Sequence, residues 1–311
     1  MERTVLITGI NGFVGFHLAR ALTQRGIKVA GLGTDALVNT SLSDVVSKYF
    51  QCDLTNQQQV DKLPLEKIDG IVNLAGLAAV GPSFDNPELY MHVNTAVLST
   101  LCNAVVTKHK DICILGISSG AVYASNQLQP LTELSKTDSA TSPYAASKLA
   151  MEQIAQDFAA KGLNCIIARP MNHFGPHQGP GFIVPDLAQQ LISYERQKSD
   201  KILVGNLNAQ RDYTDVRDIV QAYTLLLEKG TSGNVYNICS GTPRSGRDIL
   251  DALEQVSAIH PPTVQDPTKL RASDSPVIYG DHSKLSEHTG WQPKIPFEDS
   301  MRDVIADWRS K

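Results

Sequence analysis

Within its first 25 residues the chain restricts itself to one kind of architecture. The β-branched run Thr4–Thr8 is followed at once by Gly9-Ile10-Asn11-Gly12-Phe13-Val14-Gly15 and then by a segment of helical period reaching about Arg25. A strand that turns on glycines into a helix is the head of a βαβ unit. Gly9 permits the tight turn, Gly12 lets the backbone approach a pyrophosphate, and Gly15 lets the helix pack on the strand, while the helix N-terminus favours an anion. Asn11, Phe13 and Val14 stand between these glycines and belong to the same expected dinucleotide cradle.

The alternation continues. Short apolar runs at Thr4–Thr8, Lys28–Gly33, Tyr49–Cys52, Ile68–Leu74, Ile112–Ser118 and Cys165–Arg169 read as strands covered on both faces. Helical periods fall between them at Gly12–Arg25, Glu88–Lys108 and Pro143–Ala160, the last with Ser142 as N-cap and Pro143 in its first turn. This pattern predicts an α/β fold, a Rossmann doubly wound parallel sheet. After Pro170 the stretch Arg169–Gly181 is rich in Gly and Pro and is expected to be a long loop. Beyond it come helices near Val184–Arg196, Val216–Leu227, Arg247–Val256 and Phe297–Trp308, with strands at Ile202–Val204 and Val235–Ile238. Residues 1–170 are therefore read as the dinucleotide-binding domain. Residues 171–311 are read as a smaller mixed α/β lobe that returns some elements to the first sheet and shapes a cleft for a small ligand.

Composition narrows the partners. With 311 residues and 42 % apolar content the chain can build a full core without staples. Its five cysteines, Cys52, Cys102, Cys113, Cys165 and Cys239, lie far apart with no metal-ligand spacing, so neither a zinc site nor a disulfide framework is expected. A net charge of −4 without a basic cluster argues against nucleic acid. The start lacks a signal-peptide pattern and no run of about 18 apolar residues follows, which points to the cytoplasm and away from a membrane.

A doubly wound sheet binds its ligand at the carboxyl ends of its strands. Asp53-Leu54 and Leu74-Ala75-Gly76 fall there, after the third and fourth strands. The second strand ends on Gly33 with Asp35 two residues later, where an acidic residue would greet a free ribose hydroxyl; the choice stays open, leaning to NADP(H) over NAD(H). Tyr144 and Lys148 are four residues apart, hence on one helix face, and Ser119 ends the fifth strand at the same edge. An adjacent Lys⁺ and a bound nicotinamide cation are both expected to depress the phenol's pKa. Together the three can polarise a carbonyl and pass it a proton while a hydride arrives from a cofactor.

Thr8–Gly15, Ser119, Tyr144–Lys148 and Asn94 together resemble the extended short-chain dehydrogenase/reductase family. The segments 169–176, 211–218, 235–241 and 270–274 are similar to its GDP-mannose branch. The resemblance implies a GDP-sugar substrate, a homodimer formed through the helices at 88–108 and 143–160, and a set of site residues. Arg211 and Arg271 would clamp the diphosphate, Asp274 would bind the ribose and Asn172 the sugar-phosphate region. Pro170 and His173 would stand on the nicotinamide side. Dehydratases of the family carry Glu two residues after the serine, and an epimerising relative carries Cys. Ala121, which can do no proton transfer, leaves plain reduction of the 4-keto group of a GDP-4-keto-6-deoxyhexose by NADPH or NADH. Another sugar-nucleotide epimerase or reductase, including one giving the 6-deoxytalose isomer, a dehydratase relative, and a non-catalytic NAD(P)-binding protein are the alternatives.

Overall fold

The structure, a computed structural model, describes residues 3–108, 111–269 and 275–311. From the first half come β1 (Thr4–Thr8), α1 (Phe13–Gln24), β2 (Lys28–Gly33), β3 (Val46–Gln51), α2 (Gln57–Val60), β4 (Gly70–Asn73), α3 (Val80–Ser83), α4 (Pro87–Lys108), β5 (Cys113–Ile117), α5 (Pro143–Ala160) and β6 (Cys165–Pro170). The second half contributes β7 (Asn172–Phe174), α6 (Ile183–Glu195), β8 (Ile202–Val204), β9 (Gln210–Asp215), α7 (Val216–Lys229), β10 (Val235–Ile238), β11 (Pro243–Ser245) and α8 (Gly246–Ser257). It ends with β12 (Thr263–Gln265), β13 (Val277–Ile278), α9 (Ser283–Thr289) and α10 (Phe297–Ser310).

Seven strands form one parallel sheet in the order β10-β6-β5-β4-β1-β2-β3. This is the Rossmann-like α/β fold, and β10 enters it from the second half by pairing with β6. Strand order reverses between β1 and β4, the crevice where such sheets bind ligands. Both faces are covered. Ile7, Leu18, Leu22, Ile219, Tyr223 and Leu226 pack α1 and α7 on one side, while Leu6, Ile71, Leu98, Leu101, Ile114 and Met151 pack α4 and α5 on the other. Burying each such Leu or Ile contributes about 1.5–3 kcal/mol.

The α4 helix is long and apolar enough by length and composition to cross a membrane, unlike what its sequence suggested, yet half of that stretch is buried inside the protein. Its Val97, Leu98 and Leu101 share a core cluster with Met151 and Ala155 of α5. At α5 the Ser142 hydroxyl accepts from Ala145 N and Pro143 occupies the first turn. All five cysteines are buried and free.

The expected long loop over 169–181 is shorter than its Gly and Pro content predicts. β6 runs through Pro170, and Asn172–Phe174 forms β7 beside β9. A second sheet, β11-β9-β13 with β7 also on β9, carries the chain away from the first. Behind it Phe174, Leu187, Leu191, Leu253, Met301 and Ile305 form a separate core.

Candidate active site

The turn after β1 is built around its glycines. Gly9 has φ +62°, and a side chain there would stand 3.1 Å from Ala75 N in the turn after β4. At Gly15 a Cβ would lie 2.5 Å from Ile10 O and 2.8 Å from Gly9 O, both backbone atoms. Thr8 Oγ1 donates to Asn73 Oδ1 at 2.7 Å and accepts from Ala75 N at 3.0 Å, tying the ends of β1 and β4 together. Gly12 is the N-cap of α1 and no side chain caps the helix, so the amides of its first turn, at Phe13 and Val14, are presented to an anion. This cradle, kept free of side chains and carrying a positive helix end, fits the pyrophosphate of a dinucleotide.

Asn11 anchors the adjoining rim by donating to Asp35 Oδ2 at 2.7 Å and accepting from Asn39 N at 2.8 Å. An acidic group thus stands beside the glycine loop although position 33 is glycine. A Cβ at Gly33 would lie 2.9 Å from the Tyr49 hydroxyl, which donates to Asp35 O at 2.8 Å. Asp53 turns its carboxylate back on its own segment, accepting from Thr55 N at 2.9 Å and Thr55 Oγ1 at 2.8 Å. Leu54 is buried, and its carbonyl accepts from Thr100 Oγ1 of α4 at 2.6 Å. Leu74, Ala75 and Gly76 follow β4; Gly76 has φ +147°, and a Cβ there would lie 2.7 Å from Asn94 Oδ1 and 3.9 Å from Lys148 Nζ. Asn94 in turn accepts from Leu77 N at 2.8 Å and donates to Ser147 Oγ at 2.9 Å.

One helical turn apart on α5, Tyr144 and Lys148 meet the end of β5. The Tyr144 phenol lies beside the Ser119 hydroxyl, and Ser119 Oγ accepts from Ala121 N at 3.1 Å. Lys148 Nζ donates to Ile117 O at 2.8 Å and stands 5.8 Å from the centre of the Tyr144 ring. Sequence alone predicts a depressed phenol pKa, and the protein by itself does the opposite. Burial pushes Tyr144 up to about 12, the Ser119 hydroxyl working against it. Burial also pulls Lys148 down to about 8, opposed by the charge of Glu152. Desolvation disfavours charge on both groups and is the largest cause of each shift. At neutral pH Tyr144 is therefore a phenol, the form that donates a proton.

On the facing side His173 lies parallel to Phe13 at a 6.2 Å centroid distance, with its Nδ1 3.2 Å from Met171 O. Pro170 is buried at the end of β6, and Asn172 is exposed at the start of β7. His173 thus stands against the cradle through Phe13. Arg211 is half-buried on β9 and donates from Nη1 to Gln210 O at 2.7 Å and to Ser275 O at 2.8 Å. Arg271 and Asp274 lie outside the described residues. Asp212, the next residue on β9, is buried. It accepts from the backbone of Ser240 at 2.7 Å and of Gly241 at 2.9 Å, joining β9 to the turn after β10. Burial raises its pKa despite those bonds.

Sequence reasoning left one group unnamed. Glu152, four residues beyond Lys148, is 3 % exposed and accepts from Arg169 Nε at 2.8 Å and Nη2 at 2.6 Å. The spacing Tyr144, Lys148, Glu152 is visible in the sequence; its partner on β6 is not. Among the described residues no three His, Cys, Asp or Glu side chains could hold a metal. A surface concavity of about 980 Å³ between Tyr194, Lys198 and His260 contains none of these residues.

A dinucleotide cradle beside a Ser–Tyr–Lys cluster, on a sheet of this order, defines an NAD(P)-dependent enzyme of the extended short-chain dehydrogenase/reductase class. The chain belongs to the GDP-mannose 4,6 dehydratase family, whose model matches residues 6–304. It is 30 % identical to GDP-6-deoxy-D-mannose reductase of Pseudomonas aeruginosa, over 100 % of this chain and 99 % of that one. RMD from Pseudomonas aeruginosa complexed with NADPH superposes with a TM-score of 0.87 at 29 % identity, covering 99 % of both chains. UDP-glucose 4-epimerase of Thermus thermophilus in complex with NAD gives a TM-score of 0.86 at 25 % identity, over 98 % of this chain and 99 % of that one.

Proposed function

We propose that the protein reduces the 4-keto group of GDP-4-keto-6-deoxy-D-mannose, giving GDP-D-rhamnose, with NADPH or NADH. The nicotinamide cofactor supplies the hydride. Gly9, Gly12, Gly15 and the first turn of α1 hold its pyrophosphate, Asn11 and Asp35 border its adenosine end, and Lys148 binds its nicotinamide ribose. Ser119 hydrogen-bonds the ketone oxygen, and Tyr144 delivers the proton to it. Arg211 and Arg271 clamp the diphosphate of the sugar nucleotide, since guanidinium matches paired phosphate oxygens. Asp274 receives the ribose hydroxyls, and Asn172 holds the sugar-phosphate region.

The observation that carries this reading is the meeting of Ser119 with a Tyr144 kept as a phenol, with Lys148 one turn further along α5. Ala121 follows two residues after Ser119, and its methyl group supplies neither the base of an elimination nor the acid of an epimerisation. The likeness to the Pseudomonas reductase supports the choice of sugar nucleotide. The reading includes a cytoplasmic homodimer paired through α4 and α5; on α4 Leu89 and Met91 are exposed.

A panel of keto-sugar nucleotides tests it. GDP-4-keto-6-deoxy-D-mannose is expected to drive NADPH oxidation at least tenfold faster than the corresponding UDP and dTDP sugars, with NMR of the product showing the rhamno configuration at carbon 4. A talo product replaces the stereochemical assignment. Interconversion of UDP-glucose and UDP-galactose without net NADPH oxidation points to an epimerase instead.

A further inference from the structure

Tyr144, Lys148 and Glu152 follow one another at intervals of four along α5, so they form a single row on one face. Each grips a successive part of the same strand end. The Tyr144 phenol lies beside the Ser119 hydroxyl, Lys148 Nζ donates to Ile117 O at 2.8 Å, and Glu152 accepts from Ser118 Oγ. Glu152 is in turn locked by the guanidinium fork of Arg169, whose Nη1 donates to the Tyr123 hydroxyl at 3.1 Å. Tyr123 then donates to Asn237 Oδ1 on β10 at 2.6 Å.

We propose that Glu152 is a positioning residue for the active site: fixed by Arg169 and Ser118, its carboxylate keeps Lys148 protonated and aimed at the cofactor. This rests on the proposed role of Lys148 as a cofactor-binding cation. Lys148 is 8 % exposed and donates to the neutral Ile117 carbonyl, so its charge needs an anion within the protein. Around it, α5 supplies Tyr144 and Glu152, α4 supplies Tyr90 packed edge-on to Tyr144, and α7 supplies Tyr223, which interacts with Tyr144. Arg169 of β6 binds Glu152 and reaches on to Tyr123. Glu152 is thus the acid in the row facing the lysine, and its charge works against the desolvation that pulls Lys148 down to about 8.

The test is the dissociation constant of NADPH from the intact protein, followed between pH 6 and 10 by fluorescence, with no sugar present. Wild type is expected to lose affinity as Lys148 deprotonates near pH 8. In Glu152→Gln this alkaline limb moves down by at least one pH unit, so that binding at the wild-type midpoint is several-fold weaker, up to about tenfold where one unit of pKa is a factor of ten. In Glu152→Asp, which keeps the charge, the limb returns toward its wild-type position. In Lys148→Arg, charged throughout, it disappears. Glu152→Gln leaves Arg169 buried and unpaired, a change that can prevent folding. The double variant Glu152→Gln/Arg169→Met removes both charges and is expected to show the same shift.

A purely structural Glu152 would weaken binding equally at every pH. An unmoved limb in a folded variant lacking the Glu152 carboxylate, or a limb that persists in Lys148→Arg, overturns the proposal. NADPH that binds with the expected pH profile but is not oxidised by any keto-sugar nucleotide rejects the proposed reaction while leaving this role of Glu152 intact.

Discussion

Tyr144→Phe is expected to lower the rate of ketone reduction by about 10²–10⁴-fold, the usual contribution of a positioned general acid, with NADPH affinity nearly unchanged. The substitution removes one hydroxyl and keeps the ring that packs edge-on against Tyr90 at 6.4 Å. Ser119 retains its bond from Ala121 N at 3.1 Å, so the end of β5 stays in place. What disappears is the proton. Burial holds the phenol up to about 12, which keeps it protonated throughout the neutral range. It gives up that proton only as negative charge develops on the ketone oxygen. Steady-state NADPH oxidation and a separate NADPH binding isotherm check the two halves of the expectation. A variant with nearly full turnover would remove Tyr144 from the mechanism.

Gly15→Ala is expected to weaken NADPH binding by about 10²-fold or more, the scale of loss that a misplacement of about 1 Å brings. The added Cβ would sit 2.5 Å from Ile10 O and 2.8 Å from Gly9 O. Neither contact can be relieved by turning a side chain. Relief requires lifting α1 off the turn after β1, which spoils the geometry that presents the helix N-terminus to a pyrophosphate. Gly70→Ala on β4 is the control, since a Cβ there makes only ordinary contacts, at 3.6 Å or more, and its binding and melting temperature should stay close to wild type. Equal NADPH affinity in the two variants would contradict the assignment of the cradle.

These expectations draw on features of unequal visibility in the sequence. The cradle is legible because its chemistry is local: strand, glycines and helix are contiguous, and the spacing itself says what a side chain would obstruct. The central strands are legible for the same reason, being continuous apolar runs. By contrast β9, Gln210–Asp215, is a polar run that reads as loop, yet it is the strand on which β7, β11 and β13 converge. Its identity as a strand depends on partners far away in the chain, so periodicity alone cannot reveal it. β7 is hidden within Gly- and Pro-rich sequence for the same cause.

The site shows a parallel division. Ser119, Tyr144 and Lys148 can be named from residue type and spacing, and they meet at one strand end. The direction of the phenol's shift cannot be read there, because desolvation is a property of the assembled protein and is here the largest cause. Glu152 is inconspicuous since a glutamate on a helix is ordinarily a solvated charge. Only the sheet brings Arg169 under it. Asp212 is likewise inconspicuous in the sequence, whereas burial turns it toward the backbone of Ser240 and Gly241.

The central claim is hydride delivery to carbon 4 of a GDP-bound keto sugar, and isotope transfer measures it directly. The protein is incubated with GDP-4-keto-6-deoxy-D-mannose and NADPH deuterated at carbon 4 of the nicotinamide, and the product is read by NMR and mass spectrometry. One deuterium is predicted, bound to carbon 4 of GDP-D-rhamnose, in step with the NADPH consumed. Deuterium elsewhere in the sugar, or a product formed without deuterium while NADPH remains unoxidised, would contradict the account.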